Sequence, residues 1–434
     1  MAQRGIREYE GKRIFHDNWE RFFGGYEYPF ESASVADGAE LRALAGEPGY
    51  EWLSEGPLVV KPDMLFGKRG LNGLVYYEDQ EPGDVGLDAA AAWMDARLGV
   101  RTTLLGGQGG VLSRFIVEPF VPHAPEAAHY LSATSGEDHD TLHIGARGGV
   151  DVEANWDAVH HIDIPLDADE AEIDRLIASG LPEALRGDAD LTGFVQAFYR
   201  FFRDLHFSYL ELNPFLLRGR QVHLLDLVAK LDDTAHHLMQ PYWGDPYFPT
   251  PFGMKAPGAE EKMIRELDEG SGASLKLTVL RPEARVWTLV AGGGASVVYA
   301  DTIADLIGVE DLANYGEYSG NPSIEETYLY ARTILDLMTR RRDPQGRPKV
   351  LLIGGAIANF TDVARTFTGI IQALEEYQDR LHDVGLKIYV RRGGPNYETG
   401  LRNICTAARR MGLPIEVYGP ETHMTDIVRM AVAA

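Results

Sequence analysis

Two adjacent arginines, Arg391 and Arg392, stand directly before Gly393 and Gly394 at the end of an apolar run, in a chain whose formal net charge is −24. A guanidinium forms paired hydrogen bonds to a carboxylate, so cations gathered at one loop of an acidic chain mark a place for an anion. Neighbouring strand residues point to opposite faces, so at most one arginine of the pair faces a ligand. Asn359 and Thr361, in ANFTD, fall at a strand-to-helix turn, where side chains and unpaired N–H groups meet anions. The competing reading is that one of them merely caps the next helix. Glycine loops, one forward arginine and the Asn/Thr turn together point to a polycarboxylate or phosphate site.

The first half holds a second set of groups. Lys61 lies in the run LVVKPD, Arg69 and Gly70 follow in a loop, and Glu211, Asn213 and Asp226 offer side-chain oxygens. The glycine-rich GGQGG at 106–110 lacks the Lys–Ser/Thr that completes a P-loop, so a nucleotide would need another cradle. That cradle would take a strand lysine and a basic glycine loop for the phosphates, and a hinge such as EPFVPH for the base. It would also take oxygen ligands for a Mg²⁺ that keeps several of its waters. Each residue has a plainer explanation. A strand lysine before proline is often an edge device, Asn213–Pro214 reads as a strand broken at proline, and Asp226, between two leucines, would face water from a strand. No nucleophile stands out. Cys405, the one cysteine, sits in a helical pattern as a small packed residue, and His423 has no orienting partner in the sequence.

These groups need scaffolds. In the second half four β-rich runs, 285–290, 350–353, 388–390 and 415–418, each end in a turn or glycine loop, with helical patterns between them. One helix opens on the capping box Ser323-x-x-Glu326 and runs toward Arg341; another covers 363 to about 378. Strands alternating with helices predict a doubly wound parallel sheet, with ligands beyond the carboxyl ends of its strands. The first half is less regular: 58–63, 115–120 and 223–230 read as strands, and the aromatic-rich 194–205 as helix. Between the halves, 242–261 carries prolines and glycines that no long helix or central strand tolerates. The fold class is α/β, with a first module at 1–241 in two subdomains, a linker at 242–261 and a second domain at 262–434.

At 434 residues the chain has room for roughly three cores. The acidic balance, without a basic stripe, argues against nucleic acid and anionic lipid as partners. One cysteine allows no internal disulfide and no cysteine-built zinc cage. The N-terminal stretch lacks a signal-peptide core, and no run reaches the ~18 apolar residues that cross a bilayer. A cytoplasmic protein is the expectation.

Taken in order, LVVKPDMLFGKRG, FIVEPFVPH, GGVDV, YLELNPF, LLDLVAKLD, SGASLKLT, VAGGGASVVYADTI, LANYGEYSG, GGAIANFTDV, RRGGPNYETGLR and GPETHMT resemble the ATP- and citrate-binding half of ATP-citrate lyase. The layout is also similar to the succinyl-CoA synthetase β subunit, an ATP-grasp module followed by a flavodoxin-like domain. The resemblance implies that Lys61, Arg69 and Gly70 contact nucleotide phosphates, that Pro119 and Val121 form the adenine hinge, and that Asn213 and Asp226 hold Mg²⁺ with ATP. It implies a second metal stretch at Asp268, Ser271 and Ala273. It implies citrate contacts at Gly320, Asn359, Thr361, Tyr377 and Arg392, which makes Arg392 the forward arginine. The sequence departs from the family after the hinge, where Ala128, with Glu126 nearby, replaces an acidic residue, and before GGVDV, where Arg147 does. The first ~50 residues carry no family motif.

The implied activity converts ATP, citrate and CoA to acetyl-CoA, oxaloacetate, ADP and phosphate. A partner subunit, in a hetero-oligomer, would bring the phosphoryl-carrying histidine, the CoA site and the citryl-CoA lyase part; no catalytic residue is expected in this chain. The alternatives are the matching subunit of a citryl-CoA synthetase, which stops at citryl-CoA, and a non-catalytic citrate or nucleotide sensor.

Overall fold

The computed structural model describes residues 3–149 and 152–433, in two compact units, Met1–Lys255 and Ala256–Ala434. The motif GGVDV, at 148–152, includes residues outside those described.

In the first unit an antiparallel sheet runs in the order Gln3–Ile6, Leu227–Asp232, Phe207–Arg218, Ala128–Ser135, His139–Gly145, His160–Pro165, with Gln221–Leu224 paired to Phe207–Arg218. Side chains alternate across it. One face, including Leu131, Ile144, Ile162 and Leu212, joins a core shared with the helices Glu8–Asp17 and Ala189–Asp204, whose Phe15 and Phe201 rings stack at 4.1 Å. Ala189–Asp204 is helical because its aromatics recur on one stripe and the Asp188 carboxylate accepts the Leu191 N–H at 2.9 Å. The opposite sheet face carries polar residues such as Tyr209 and Glu211, leaving it free to meet a ligand. A smaller sheet orders Ala33–Val35, Phe115–Pro119 and Leu58–Pro62 around its own core.

Two expectations for this unit change. The run 223–230 is two strands, Gln221–Leu224 and Leu227–Asp232, and Asp226 lies in the bend between them, where the Leu225 and Asp226 N–H groups both point at the Pro214 carbonyl, at 3.1 and 3.3 Å. Nor does Pro214 end its strand: Phe207–Arg218 continues through a bulge between Leu212 and Phe215, where a missing N–H is tolerated. Helical structure also enters 242–261 from both sides. His236–Trp243 runs past its start, and Ala259–Glu269 begins inside it, capped where the Gly258 N–H reaches Glu261 at 2.5 Å.

The second unit is built on a parallel sheet ordered Val286–Ala291, Val350–Gly355, Lys387–Arg391, Ile415–Tyr418. Its central strands read as continuous apolar runs because both faces are covered. Trp287, Leu289, Leu351 and Ile353 face the helices Ile324–Thr339, Val363–Glu376 and Tyr397–Arg410. Val286, Val290, Val350 and Leu352 face Gly293–Ile307 and Asp426–Ala433. The capping box forms as the spacing requires: the Glu326 N–H donates to Ser323 Oγ at 3.1 Å, and the Ser323 N–H to Glu326 at 2.6 Å. An antiparallel pair, Ser274–Val279 with Asn314–Ser319, lies outside the four expected strands. No helix among the described residues is long and apolar enough to cross a membrane.

Candidate functional site

A cavity of about 720 Å³ opens on the polar face of the large sheet. Glu211 and Asn213 reach it from the Phe207–Arg218 strand, Asp226 from the bend, Arg69 and Gly70 from the loop after Leu58–Pro62, and Glu8 from the first helix. That volume suits a ligand of nucleotide size. Lys61, Pro119 and Val121 are not on its wall. Lys61 is 3% exposed; its ammonium donates to Glu8 Oε1 at 2.7 Å and the Leu225 carbonyl at 2.6 Å, and lies 3.1 Å from Glu118 Oε2. Pro119 pairs with Leu58 in the smaller sheet, and the Val121 carbonyl meets His123 Nδ1 at 2.8 Å.

Lys61 lies off the wall because the first helix fills the space around it. Glu8 also pairs with Lys12 at 2.7 Å and Arg69 at 2.6 Å, Lys12 pairs with Glu118 at 2.6 Å, and Arg69 pairs with Asp226. Glu8, Glu118 and Asp226 thereby balance Lys12, Lys61 and Arg69 in one network. Burial pushes the Glu8 carboxyl up, but Arg69, Lys12 and Lys61 outweigh it and hold it well below the usual carboxylate range. Burial likewise opposes the charge on Lys61, and Glu8 and Glu118 more than restore it. Asp63, fully buried beside this network, has one carboxylate oxygen without a partner among the described residues; burial, then the Glu8 charge, raise it to about 6. Glu8 and Lys12 went unread in the sequence. Their signal was available: both fall on the helix stripe that also carries the buried Gly11 and Phe15, and charges on a buried stripe need partners.

Among the described residues no three His, Cys, Asp or Glu side chains converge as a metal cage would. Mg²⁺ needs no such cage, taking one or two carboxylates together with substrate phosphates and water. Asp226 and Glu211 with the Asn213 amide, on one cavity wall beside Arg69, fit that chemistry. The 268–273 stretch does not. Asp268 Oδ1 accepts the Leu275 N–H at 2.7 Å, its other oxygen pairs with Lys276, and the Ser271 hydroxyl accepts the Ala273 N–H at 3.2 Å. Its polar groups are spent on closing the turn, which packs on the Gly320 backbone: a Cβ there would lie 3.2 Å from Ala273 Cα.

In the second unit the loops at the carboxyl end of the parallel sheet converge. The Ala358 N–H donates to the Gly393 carbonyl at 2.9 Å, the Val363 N–H to Pro395 at 3.0 Å, and Asn396 Nδ2 to Asp362 at 2.7 Å. The Asp362 N–H points at Asn321 Oδ1 at 3.4 Å, which brings in the loop of Gly320. The two arginines divide their work as the strand geometry requires. Arg391 donates to the Gly355, Thr422 and Pro420 carbonyls at 2.9, 2.9 and 3.1 Å and knits the loops together. Arg392 is 3% exposed; its Nη1 donates to the Ala356 carbonyl at 2.7 Å, its Nε has no partner, and among the described residues no carboxylate pairs with it. Burial lowers its pKa. Two buried hydroxyls nearby, on Tyr299 and Tyr318, also lack partners.

Asn359 and Thr361 are not caps. Asp362 caps the helix Val363–Glu376, accepting the Arg365 N–H at 3.0 Å. The plainer explanation of Asn359 and Thr361 therefore fails, and both stay on the loop beside Arg392. Tyr377 is not brought to this loop. It follows the opposite end of that helix, whose 14 residues rise ~20 Å, and its hydroxyl donates to Asp336 at 3.3 Å. Cys405 is half-buried in a helix, and His423 Nδ1 meets the Thr425 hydroxyl at 2.8 Å.

Comparison with known proteins places both units. The family description "ATP-citrate synthase ATP-grasp domain" matches residues 2–243, and "ATP citrate lyase citrate-binding" matches 255–434. An ATP-citrate synthase alpha chain of Arabidopsis thaliana is 44% identical over all of this chain and 98% of its own length. The human ATP-citrate synthase is 43% identical, with this chain spanning only 38% of it. The solved ATP citrate lyase of Methanothrix soehngenii, in complex with citrate and coenzyme A, superposes with a TM-score of 0.89 at 46% identity, each chain fully covered. The chain belongs to the ATP-citrate lyase family and carries that family's ATP-grasp and citrate-binding domains.

Proposed function

We propose that this chain binds ATP–Mg²⁺ in its first unit and citrate in its second, as the nucleotide- and acid-binding subunit of an ATP-citrate lyase. The observation that carries the reading is Arg392, a buried guanidinium that among the described residues has no carboxylate and one N–H without an acceptor. Citrate supplies carboxylates to that position, with the Gly320 backbone, Asn359 and Thr361 around it. In the first unit Arg69 and Gly70 would hold the phosphates, and Pro119 and Val121 the base. Asp226, Asn213 and Glu211 would hold Mg²⁺, which neutralises phosphate charge. Lys61 would act through the Glu8 network or move from it when nucleotide binds.

The chain positions both substrates while a histidine of a partner subunit accepts the γ-phosphoryl group and passes it to a citrate carboxylate; CoA then displaces phosphate to form citryl-CoA. A covalent relay divides one hard transfer into two easier ones. The animal relatives match this chain over 38% of a longer protein, which supports a separate partner; the proposed assembly is a cytoplasmic hetero-oligomer. The citryl-CoA synthetase reading shares every one of these residues and differs only in the partner.

Reconstitution tests this. Mixed with the histidine-bearing partner, ATP, Mg²⁺, citrate and CoA, the chain should support formation of ADP, phosphate, acetyl-CoA and oxaloacetate. Accumulation of citryl-CoA without oxaloacetate would favour the synthetase. No citrate-dependent ADP formation would contradict both and leave the sensor reading.

A further inference from the structure

Tyr299 and Tyr318 come from different elements, the helix Gly293–Ile307 and the strand Asn314–Ser319, yet both are fully buried and both lie within electrostatic reach of Arg392. Among the described residues neither hydroxyl has a hydrogen-bond partner. The Tyr299 oxygen lies near the Gly355 N–H without a hydrogen bond of normal geometry. Two consecutive glycines make the room. A Cβ on Gly354 would lie 2.5 Å from Tyr299 Cζ and 2.8 Å from its hydroxyl, and one on Gly355 would collide with Arg392 Nη1. Tyr299 and Arg392 therefore meet at the end of the Val350–Gly355 strand, with the Tyr318 hydroxyl in electrostatic reach of both; the Arg392 Nε–H and the two phenol O–H groups are buried, and among the described residues none is satisfied. Buried polar groups are normally paired. Burial pushes Tyr318 up to about 12, so its phenol remains a proton donor at neutral pH. A donor-only cluster around a cation lacks one thing, an oxyanion.

We propose that Tyr318 and Tyr299 form the inner wall of the acid-binding site and donate, with Arg392 Nε–H, to one carboxylate of the bound tricarboxylate. This rests on the citrate reading and extends it: Asn359, Thr361 and the Gly320 loop meet the acid from the outer side, while the phenols hold a carboxylate beneath them. Neither tyrosine takes part in bond making; they are positioning and specificity residues.

The test is a calorimetric titration of the full chain with citrate, with succinate as the comparison acid, for wild type, Tyr318→Phe and Tyr299→Phe, alongside melting temperatures without ligand. Removing one hydroxyl donor from a carboxylate should weaken citrate about 10- to 100-fold. The ligand-free melting temperature should stay level or rise, since the lost hydroxyl had no partner. A merely structural tyrosine would do the reverse, lowering ligand-free stability and leaving citrate affinity alone. Wild-type citrate affinity in both Phe variants would overturn the inference while the citrate reading stood. Wild type that binds neither acid would overturn both.

Discussion

A buried cation without a counter-ion is destabilising by several kcal/mol, so the way each charged residue is neutralised says what it is for. Lys61 and Arg69 are neutralised by their own chain, through Glu8, Glu118 and Asp226; Arg392 is not. Asp63 is the carboxylate left over beside the first network, facing Glu8, Arg69 and Arg7. Its folded pKa, about 6, lies above its ordinary 3.8, so the folded state binds its proton more tightly. The advantage of protonated Asp63 is full below pH 3.8 and is lost as pH rises through 6. A shift of this size is worth about 3 kcal/mol. Asp63→Asn should therefore raise the melting temperature over wild type at pH 7.5, and the gain should vanish near pH 4; an equal gain at both pH values would contradict the assignment. Glu8 behaves oppositely. Its depressed pKa contributes stability that is intact above about 4.5 and fades as pH falls below it. Truncating it to Ala would leave Lys12, Lys61 and Arg69 with only Glu118 and Asp226 to balance them, one buried charge uncompensated, a cost of about 3–5 kcal/mol measurable by denaturant unfolding. The helix stripe could have marked Glu8 and Lys12 as buried charges, but not their partners, because Lys12 and Glu118 meet across 106 positions of sequence.

The elements around the acid site were largely readable, for a physical reason. Val286–Ala291 and Val350–Gly355 are buried on both faces and mostly apolar, so they stand out as runs, and the capping box marks where Ile324–Thr339 begins. The pair Ser274–Val279 and Asn314–Ser319 was missed because NYGEYS has little strand character of its own and is held by its partner. Asp226 was misplaced because an apolar run gave no sign of the bend that aims its carboxylate into the cavity. Helix packing then sets the site's precision. Gly369 lets Val363–Glu376 approach Ile324–Thr339 so closely that a Cβ would collide with the Ile324 carbonyl and lie 2.8 Å from the Tyr328 N–H. Alanine in a helix gains up to about 1 kcal/mol over glycine, but a clash with backbone costs about 1–3 kcal/mol. Gly369→Ala should therefore lower stability and weaken citrate, because the two helices carry the Gly320 and Asn359 loops at their starts. Calorimetry and melting would show both effects; a stabilised variant with unchanged affinity would contradict this packing argument.

At the scale of the molecule, each unit has its own hydrophobic cores, and the account gives each its own ligand. A ligand that binds only the folded state stabilises by about 2.7 kcal/mol at a hundred times its Kd. Citrate should raise the melting of the unit Ala256–Ala434, and ATP–Mg²⁺ that of Met1–Lys255, followed by hydrogen exchange in each. Protection by citrate confined to the first unit would reverse the assignment.

The most direct test is a calorimetric titration of the chain with citrate, comparing wild type with Arg392→Ala and with succinate as control. Saturable citrate binding by wild type, lost in Arg392→Ala with a ligand-free melting temperature level with wild type or above it, and not reproduced by succinate, is the predicted result. Citrate binding that survives the loss of Arg392 would contradict the claim that this unpaired guanidinium is the centre of the site.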